Sequence, residues 1–594
     1  MSLQVPREPL LTLLFQVWKK HPTKTIIRDL ADGYETTVEE FLNDVLVTRE
    51  RILDSLEPEV QARLRSADTD VFVGVLVGPG HEFAVLAFAL YSIGAVIVPL
   101  CKLSPSNSPS SGVILTTYVN PLAPALHPDE GKYFLGLCNA VLIITVPTTK
   151  SKAEAISDLT GIPALNVNVT DSVRPDTLDF ALQPEGEPLI DAGKGFVLLY
   201  TSGTTGTPKG VLHTRRGAET AYVTSIELFS LGPSDTWAHY SPVHWAAGWL
   251  FLFHTILAGA CLEFCSSVFS PDWLLERWEE KAGPEDGLTV VFMVPSGLQA
   301  VGAKLEAIRR EGPPGRYDRI LQGLRGTRVI ASGGARVTPE LRDEWMELRG
   351  GRPLMVAYGM SEVLMFIAAA DWDSNAVLPV DCCGRICSHV DMKINEAGEI
   401  CLKTPPVFKR YISENPTVMN DVFDADGYWR TGDMGKLEGD LVYVFGRASQ
   451  DIIRFSGWKV LAPEVESELA KHPLVSEAIV FGIQDTSAGQ LVAALVVIGG
   501  DDSDKTSLDL PSVRRWLALE RRMNAYKLPT VLRVVRKNQA LPMTLSGKFI
   551  KRKIRDIFFS QEELDSGRVQ VHGLSTQEPD IGNRPFDWAG IQAK

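Results

Sequence analysis

Apolar, strand-like runs recur through the first third of the chain and alternate with stretches of helical periodicity. They read DVFVGVLVG at 70–78, EFAVLAFALYSIGAVIVPL at 82–100, AVLIITV at 140–146 and GFVLLY at 195–200. This is the rhythm of βα units around a largely parallel sheet. The rhythm continues in LTVVFMVPS (288–296), RVIASGGARVTPELRDEW (328–345) and PLMVAYGMSE (353–362), with a helix starting after Thr338-Pro339 in the second. From Gly398 short strands and turns take over (GEICLK, DADGYWRTGD, EGDLVYVFGR), and after Arg447 an α+β unit of about a hundred residues follows, enough to fold alone. At 594 residues the chain exceeds what one core supports. The expected fold is α/β. A large N-terminal domain over 1–447, with two βα subdomains and a small β-barrel section, precedes a small mobile α+β lid over 448–560 and a polar tail over 561–594. The serine-rich stretch 101–119 reads as an inserted surface loop or as a retained intron, which sequencing the transcript decides.

Composition removes several classes of function. Lys plus Arg total 59 against 73 Asp plus Glu, a net charge of −14, which repels nucleic acid. No apolar run reaches the roughly 18 to 20 residues of a spanning helix, and the N-terminus lacks a signal peptide's cleavage region, so a cytoplasmic location is expected. Eight cysteines in a chain of this length make no disulfide scaffold. Cys382, Cys383 and Cys387 lack a second Cys or His pair at zinc spacing, so they read as buried reduced thiols.

The segment YTSGTTGTPKGVLHT (200–214) is dense in hydroxyls and glycines and poor in bulk. It lacks Walker A spacing. Backbone N–H groups freed by glycine, several hydroxyls and one lysine nevertheless suit a polyphosphate held by many weak donors.

YTSGTTGTPKG, YGMSE (358–362), YWRTGD (428–433), GRASQDIIRFSGWKV (446–460) and LSGKFIKR (545–552) stand in the order of the adenylate-forming superfamily, which the chain resembles over roughly 10–556. That superfamily comprises acyl-CoA synthetases, luciferases and peptide synthetase adenylation domains. The resemblance implies ATP, Mg²⁺ and coenzyme A as partners of a small carboxylic acid. The acid attacks the α-phosphorus, pyrophosphate leaves, and a thiol takes the acyl group from the adenylate. Charge builds on phosphorus, so cations and oriented donors matter more than an acid or base.

By the same resemblance Thr201, Ser202, Gly203, Thr204, Thr205, Gly206 and Lys209 hold phosphates. Glu362 binds Mg²⁺ with Thr205, and Ser361 donates to the α-phosphate. Gly333, Gly334 and Ala335 wall the adenine slot and Tyr358 offers a ring for stacking, with Ala357 and Gly359 also among the nucleotide-binding residues; Asp433 takes the ribose hydroxyls, and Arg447 contacts ribose and phosphate. Lys548 carries the decisive charge for adenylation, while Lys551, Arg552, Lys553 and Arg555 read as a solvated helix face. The pivot falls at Ser449 or Gln450, and Gly457 lines the tunnel for the thiol arm.

The acid pocket is expected near His244, Trp245, Gly248, Val294, Gly297, Gly333 and Val356, with His244 gating. The look is that of the malonyl-CoA and methylmalonyl-CoA synthetase branch. Ala300 and Ala357 stand where that branch has arginines for the second carboxylate, so a monocarboxylic acid is expected. A malonyl-type diacid ligase stays as an alternative. A stand-alone adenylation enzyme serving a carrier protein is another, although SPVHWAAGW has no Asp for an amino acid's ammonium. A non-enzymatic scaffold is disfavoured by retention of Lys209, Glu362, Asp433, Arg447 and Lys548.

Overall fold

Among the described residues the strands form two large sheets, one small sheet and a two-stranded parallel pair of Leu3–Val5 with Phe180–Leu182. In a computed structural model the described residues are 3–30, 33–100, 126–169, 178–201, 208–265, 270–280, 287–374, 378–379, 381–447, 451–456, 458–486, 488–499, 508–537, 539–543 and 549–572. The 101–119 insertion lies outside them.

The first sheet runs in the order Arg410–Ile412, Lys209–Thr214, Gly195–Thr201, Val96–Pro99, Phe72–Leu76, Leu142–Thr145, Ala164–Asn166. Its last five strands are parallel. The run at 82–100 is not one strand-like stretch. It divides into the helix His81–Ile93 and the strand Val96–Pro99, separated by Gly94 at φ +84°. Because that helix is buried on all sides, it shows no polar face, and periodicity cannot tell it from a buried strand. Phe88, Tyr222 and Trp249 all pack on Phe253, where His81–Ile93 meets the helices Arg215–Phe229 and Ala246–Leu257.

The second sheet has thirteen strands. Thr25–Asp29, Cys261–Phe264, Thr236–His239, Val290–Met293, Val329–Gly333 and Met355–Met360 are parallel, and from Met365–Ala369 onward the ladder turns antiparallel. The β-rich section expected as a barrel is the far edge of this sheet: among the described residues it does not close. Cys382–Ile386 pairs with both Met365–Ala369 and Leu441–Arg447, which joins the section to the large sheet. Gly398 and Gly439, with φ of +86° and +64°, make the tight returns between the section's antiparallel strands.

The small sheet orders Trp458–Leu461, Ile452–Phe455, Gly489–Ile498, Val531–Arg536 and Val569–Val571, with Val475–Asp485 also on Gly489–Ile498. Helices Ala462–Leu469, Leu510–Leu519 and Lys551–Phe558 accompany it. The irregular tail expected from Gln561 therefore starts later. Gln561–Asp565 is a helix capped by Ser560, and Val569–Val571 pairs with Val531–Arg533. Val569 is buried, and the side chain of Gln570 accepts from the Leu510 N–H at 2.7 Å, which fastens this edge strand. Residues 573–594 lie outside the described residues. Among the described residues no helix is long and apolar enough to cross a membrane.

Candidate active site

The hydroxyl-rich loop joins two antiparallel strands, Gly195–Thr201 and Lys209–Thr214, whose register sets Thr201 opposite Lys209. Ser202, Gly203, Thr204, Thr205 and Gly206 lie outside the described residues. Lys209 Nζ stands 3.3 Å from Glu362 Oε1 and 3.5 Å from the centre of the Tyr411 ring, and the Tyr411 hydroxyl donates to the same Oε1 at 3.0 Å. Burial lowers the pKa of Lys209, and the Glu362 charge opposes that shift. Glu362 is no exposed turn residue: it is buried, and its carbonyl accepts from the Phe408 N–H at 2.9 Å. His213 Nε2–H donates to the Ser361 carbonyl at 2.7 Å, and burial pushes this imidazole down to about 4, so it stays neutral.

Beside this cluster the Tyr358 hydroxyl donates to Asp433 Oδ2 at 2.7 Å, and Arg447 Nε meets Asp433 Oδ1 at 2.9 Å. The register of Trp429–Glu438 against Leu441–Arg447 places Asp433 opposite Arg447. Burial raises the Asp433 carboxyl, with Arg447 pulling it back down. Arg447 also feels the Glu362 charge, and Lys209 feels Arg447, so the phosphate-loop lysine and the expected ribose residues share one electrostatic site.

Gly333 pairs with Ala357 across two parallel strands, and a Cβ on Gly333 would come within 2.4 Å of the Ala357 carbonyl oxygen. Gly334, at φ +77°, and Ala335 follow at the exposed strand end, while Gly359 backs against the Met365 carbonyl. These positions bring backbone to the site without side-chain bulk.

In the expected acid pocket His244 is buried, and neither ring nitrogen has a hydrogen-bond partner among the described residues. Desolvation holds it at about 4. Trp245 lies 5.9 Å away, ring to ring. Gly248 backs onto the carbonyls of Ser241 and Pro242, too close for any side chain, and Val294 is the nearest atom source to a Cβ on Gly334. Gly297 is buried on the helix Pro295–Glu311, and Val356 is buried beside Ala357.

Lys548, Gly457, Ser449 and Gln450 lie outside the described residues. The base of the Lys548 loop is described: Met543 bridges Phe549, and the Ile550 N–H donates to the Pro542 carbonyl at 2.9 Å. Lys551 departs from expectation. It is no solvated side chain, but pairs with Asp451 Oδ1 at 2.7 Å and Glu466 Oε1 at 3.0 Å, and Asp451 Oδ2 accepts from the Arg447 N–H at 2.9 Å. Arg552 and Arg555 do face solvent. Cys382 and Cys387 are free and buried.

Two residues of the cluster were not singled out from sequence, Tyr411 and His213. Tyr411 lies 49 positions from its partner Glu362 in the sequence.

The AMP-binding enzyme family matches residues 61–412, and the AMP-binding enzyme C-terminal domain matches 464–548. A malonate–CoA ligase of Arabidopsis thaliana is 28% identical over 518 residues, 82% of this chain and 78% of that protein. The acyl-CoA ligase oryP of Aspergillus oryzae is 24% identical over 577 residues, 96% of each chain. Among solved structures, ATP-bound MatB from Rhodopseudomonas palustris superposes with a TM-score of 0.71 at 22% identity, covering 92% of this chain and 99% of that one. The first family match spans more than half of the sequence and the second follows it in order, so the chain belongs to the AMP-binding enzymes, the adenylate-forming superfamily that its motifs resemble.

Proposed function

We propose that this enzyme joins a small carboxylic acid to coenzyme A, with an acyl-adenylate between the two half-reactions and AMP and pyrophosphate as the other products. The observation that carries the reading is the joint cluster of Lys209, Glu362, Asp433 and Arg447. Lys209 sits at the root of the hydroxyl-rich loop, suited to neutralise departing pyrophosphate. Asp433, held by Arg447 and Tyr358, offers a fixed carboxylate for the ribose hydroxyls. A carboxylate oxygen of the Glu362 type suits Mg²⁺, a hard cation that offsets phosphate charge when bound. Ser361, with its carbonyl tied by His213, presents a hydroxyl to the α-phosphate. Lys548, Gly457 and the pivot at Ser449 or Gln450 are assigned by motif, the first to the adenylation step and the others to the swing that admits the thiol. The lid is taken as 448–560 on the same ground, and the cytoplasm as the place of action.

For the acid we read a monocarboxylate. His244 is neutral, Val294, Val356 and Ala357 are apolar, and a second carboxylate buried among them would lack a counter-ion. The diacid reading stands beside it because the Arabidopsis relative is named a malonate–CoA ligase. A carrier protein in place of free CoA is the remaining alternative.

The deciding experiment is pyrophosphate release and product mass for a panel of acids, with and without CoA. The expected outcome is CoA-dependent thioester from hexanoate or benzoate exceeding that from malonate. Preferred turnover of malonate selects the diacid reading. Adenylate without thioester selects another acceptor, and inertness with every acid overturns the ligase.

A further inference from the structure

Tyr411 sits on the edge strand Arg410–Ile412, paired with Val211 two residues beyond Lys209. It touches both charges of the phosphate site: its hydroxyl is on Glu362 Oε1 at 3.0 Å and its ring is 3.5 Å from Lys209 Nζ. We infer that Tyr411 is a positioning residue, whose hydroxyl decides which oxygen of Glu362 turns to a divalent cation and whose ring holds the Lys209 ammonium ready for phosphate. The cation role of Glu362 rests on the ligase reading; the contacts do not.

Glu362 Oε1 is occupied by the phenol and by Lys209, whereas Oε2 has no hydrogen bond among the described residues. A carboxylate with one oxygen loaded and the other open has a defined direction for a single hard cation. The phenol O–H donates to Glu362 Oε1 at 3.0 Å. Its ring is itself clamped, 4.2 Å from the Phe408 ring, and Phe408 holds the Glu362 carbonyl through its backbone N–H. Residues 408–411 thus grip Glu362 at main chain and side chain together. The cation–π contact gives Lys209 a resting place that is not a second ion pair, so phosphate displaces it at modest cost.

The test separates hydroxyl from ring. Manganese binding in the presence of a non-hydrolysable ATP analogue is followed by electron paramagnetic resonance in the wild type, Tyr411→Phe and Tyr411→Leu, with Glu362→Gln as reference. A hydrogen bond to a charged group is worth about 1.5 to 3 kcal/mol, so Tyr411→Phe is expected to weaken manganese roughly tenfold or more. Metal-free affinity for the analogue should stay unchanged in Tyr411→Phe and fall in Tyr411→Leu, which also loses the ring under Lys209. Glu362→Gln must weaken manganese at least as much as Tyr411→Phe. Wild-type manganese affinity in Tyr411→Phe overturns the inference, and so does equal loss of manganese and analogue in the two tyrosine variants. Should the wild type release no pyrophosphate with any acid, the ligase reading fails while the metal titration still judges Tyr411.

Discussion

Asp433 makes its geometry legible one residue at a time. Its carboxylate is held on one oxygen by Arg447 and on the other by Tyr358, so it cannot rotate away from the site. Asp433→Asn removes the charge that anchors Arg447, and the loss of one charge-assisted pair predicts an ATP KM raised about tenfold, with kcat for pyrophosphate exchange much less affected. Steady-state kinetics at varied ATP check this. Lys209, Glu362, Asp433 and Arg447 were picked out of the sequence by their places in motifs that resemble those of the family, and the structure brings the four together. Tyr411 and His213 were not readable. Their importance comes from what lies across a sheet edge, and no local run of sequence records that.

At the scale of elements the glycines and the Lys551 clasp decide most. Gly333 stands where two parallel strands approach so closely that a Cβ would meet the Ala357 oxygen at 2.4 Å. Gly333→Ala must push those strands apart, a strain of about 1 to 3 kcal/mol by the cost of overpacking, and should lower both the unfolding temperature and ATP affinity. Calorimetry with and without ATP reads both. Lys551 joins the helix Lys551–Phe558 to Asp451 and to Glu466 of Ala462–Leu469. Lys551→Met leaves two carboxylates facing each other without a cation, and is expected to destabilise the small domain by roughly 2 kcal/mol, with Lys551→Arg recovering most of it. Denaturant unfolding of the whole chain followed through Trp458 or Trp516 measures this. The sequence at 551–555 is a plain basic run, and only the partners brought from 451 and 466 distinguish its first lysine from the exposed ones.

On the scale of the whole molecule, burial of histidine links stability to pH. His213, His239 and His244 are each held at about 4 by desolvation, below their ordinary value of 6.5. The unfolded chain takes up these protons first. Stability is therefore complete above about pH 6.5 and falls as pH drops toward 4, by about 1.4 kcal/mol per pH unit for each histidine. Thermal unfolding between pH 7 and 4.5 should show that loss, and His244→Asn should shrink its slope by one proton. The small domain offers a second check: removing 561–594 deletes a strand of the small sheet and should lower its stability more than removing 573–594 alone, as limited proteolysis would show.

Runs of apolar residues, turn glycines and five ordered motifs were enough to announce an α/β chain with a small second domain and a nucleotide site, because period, turn chemistry and motif spacing are local properties written along the backbone. Folding alone settled that the helix His81–Ile93 is not strand, that the β-rich section is an open sheet edge, that Gln561–Asp565 and Val569–Val571 belong to the small domain, and that Lys551 is paired. Each of these depends on neighbours far away in sequence. Burial and pairing are properties of contacts, and contacts exist only once the chain has closed upon itself.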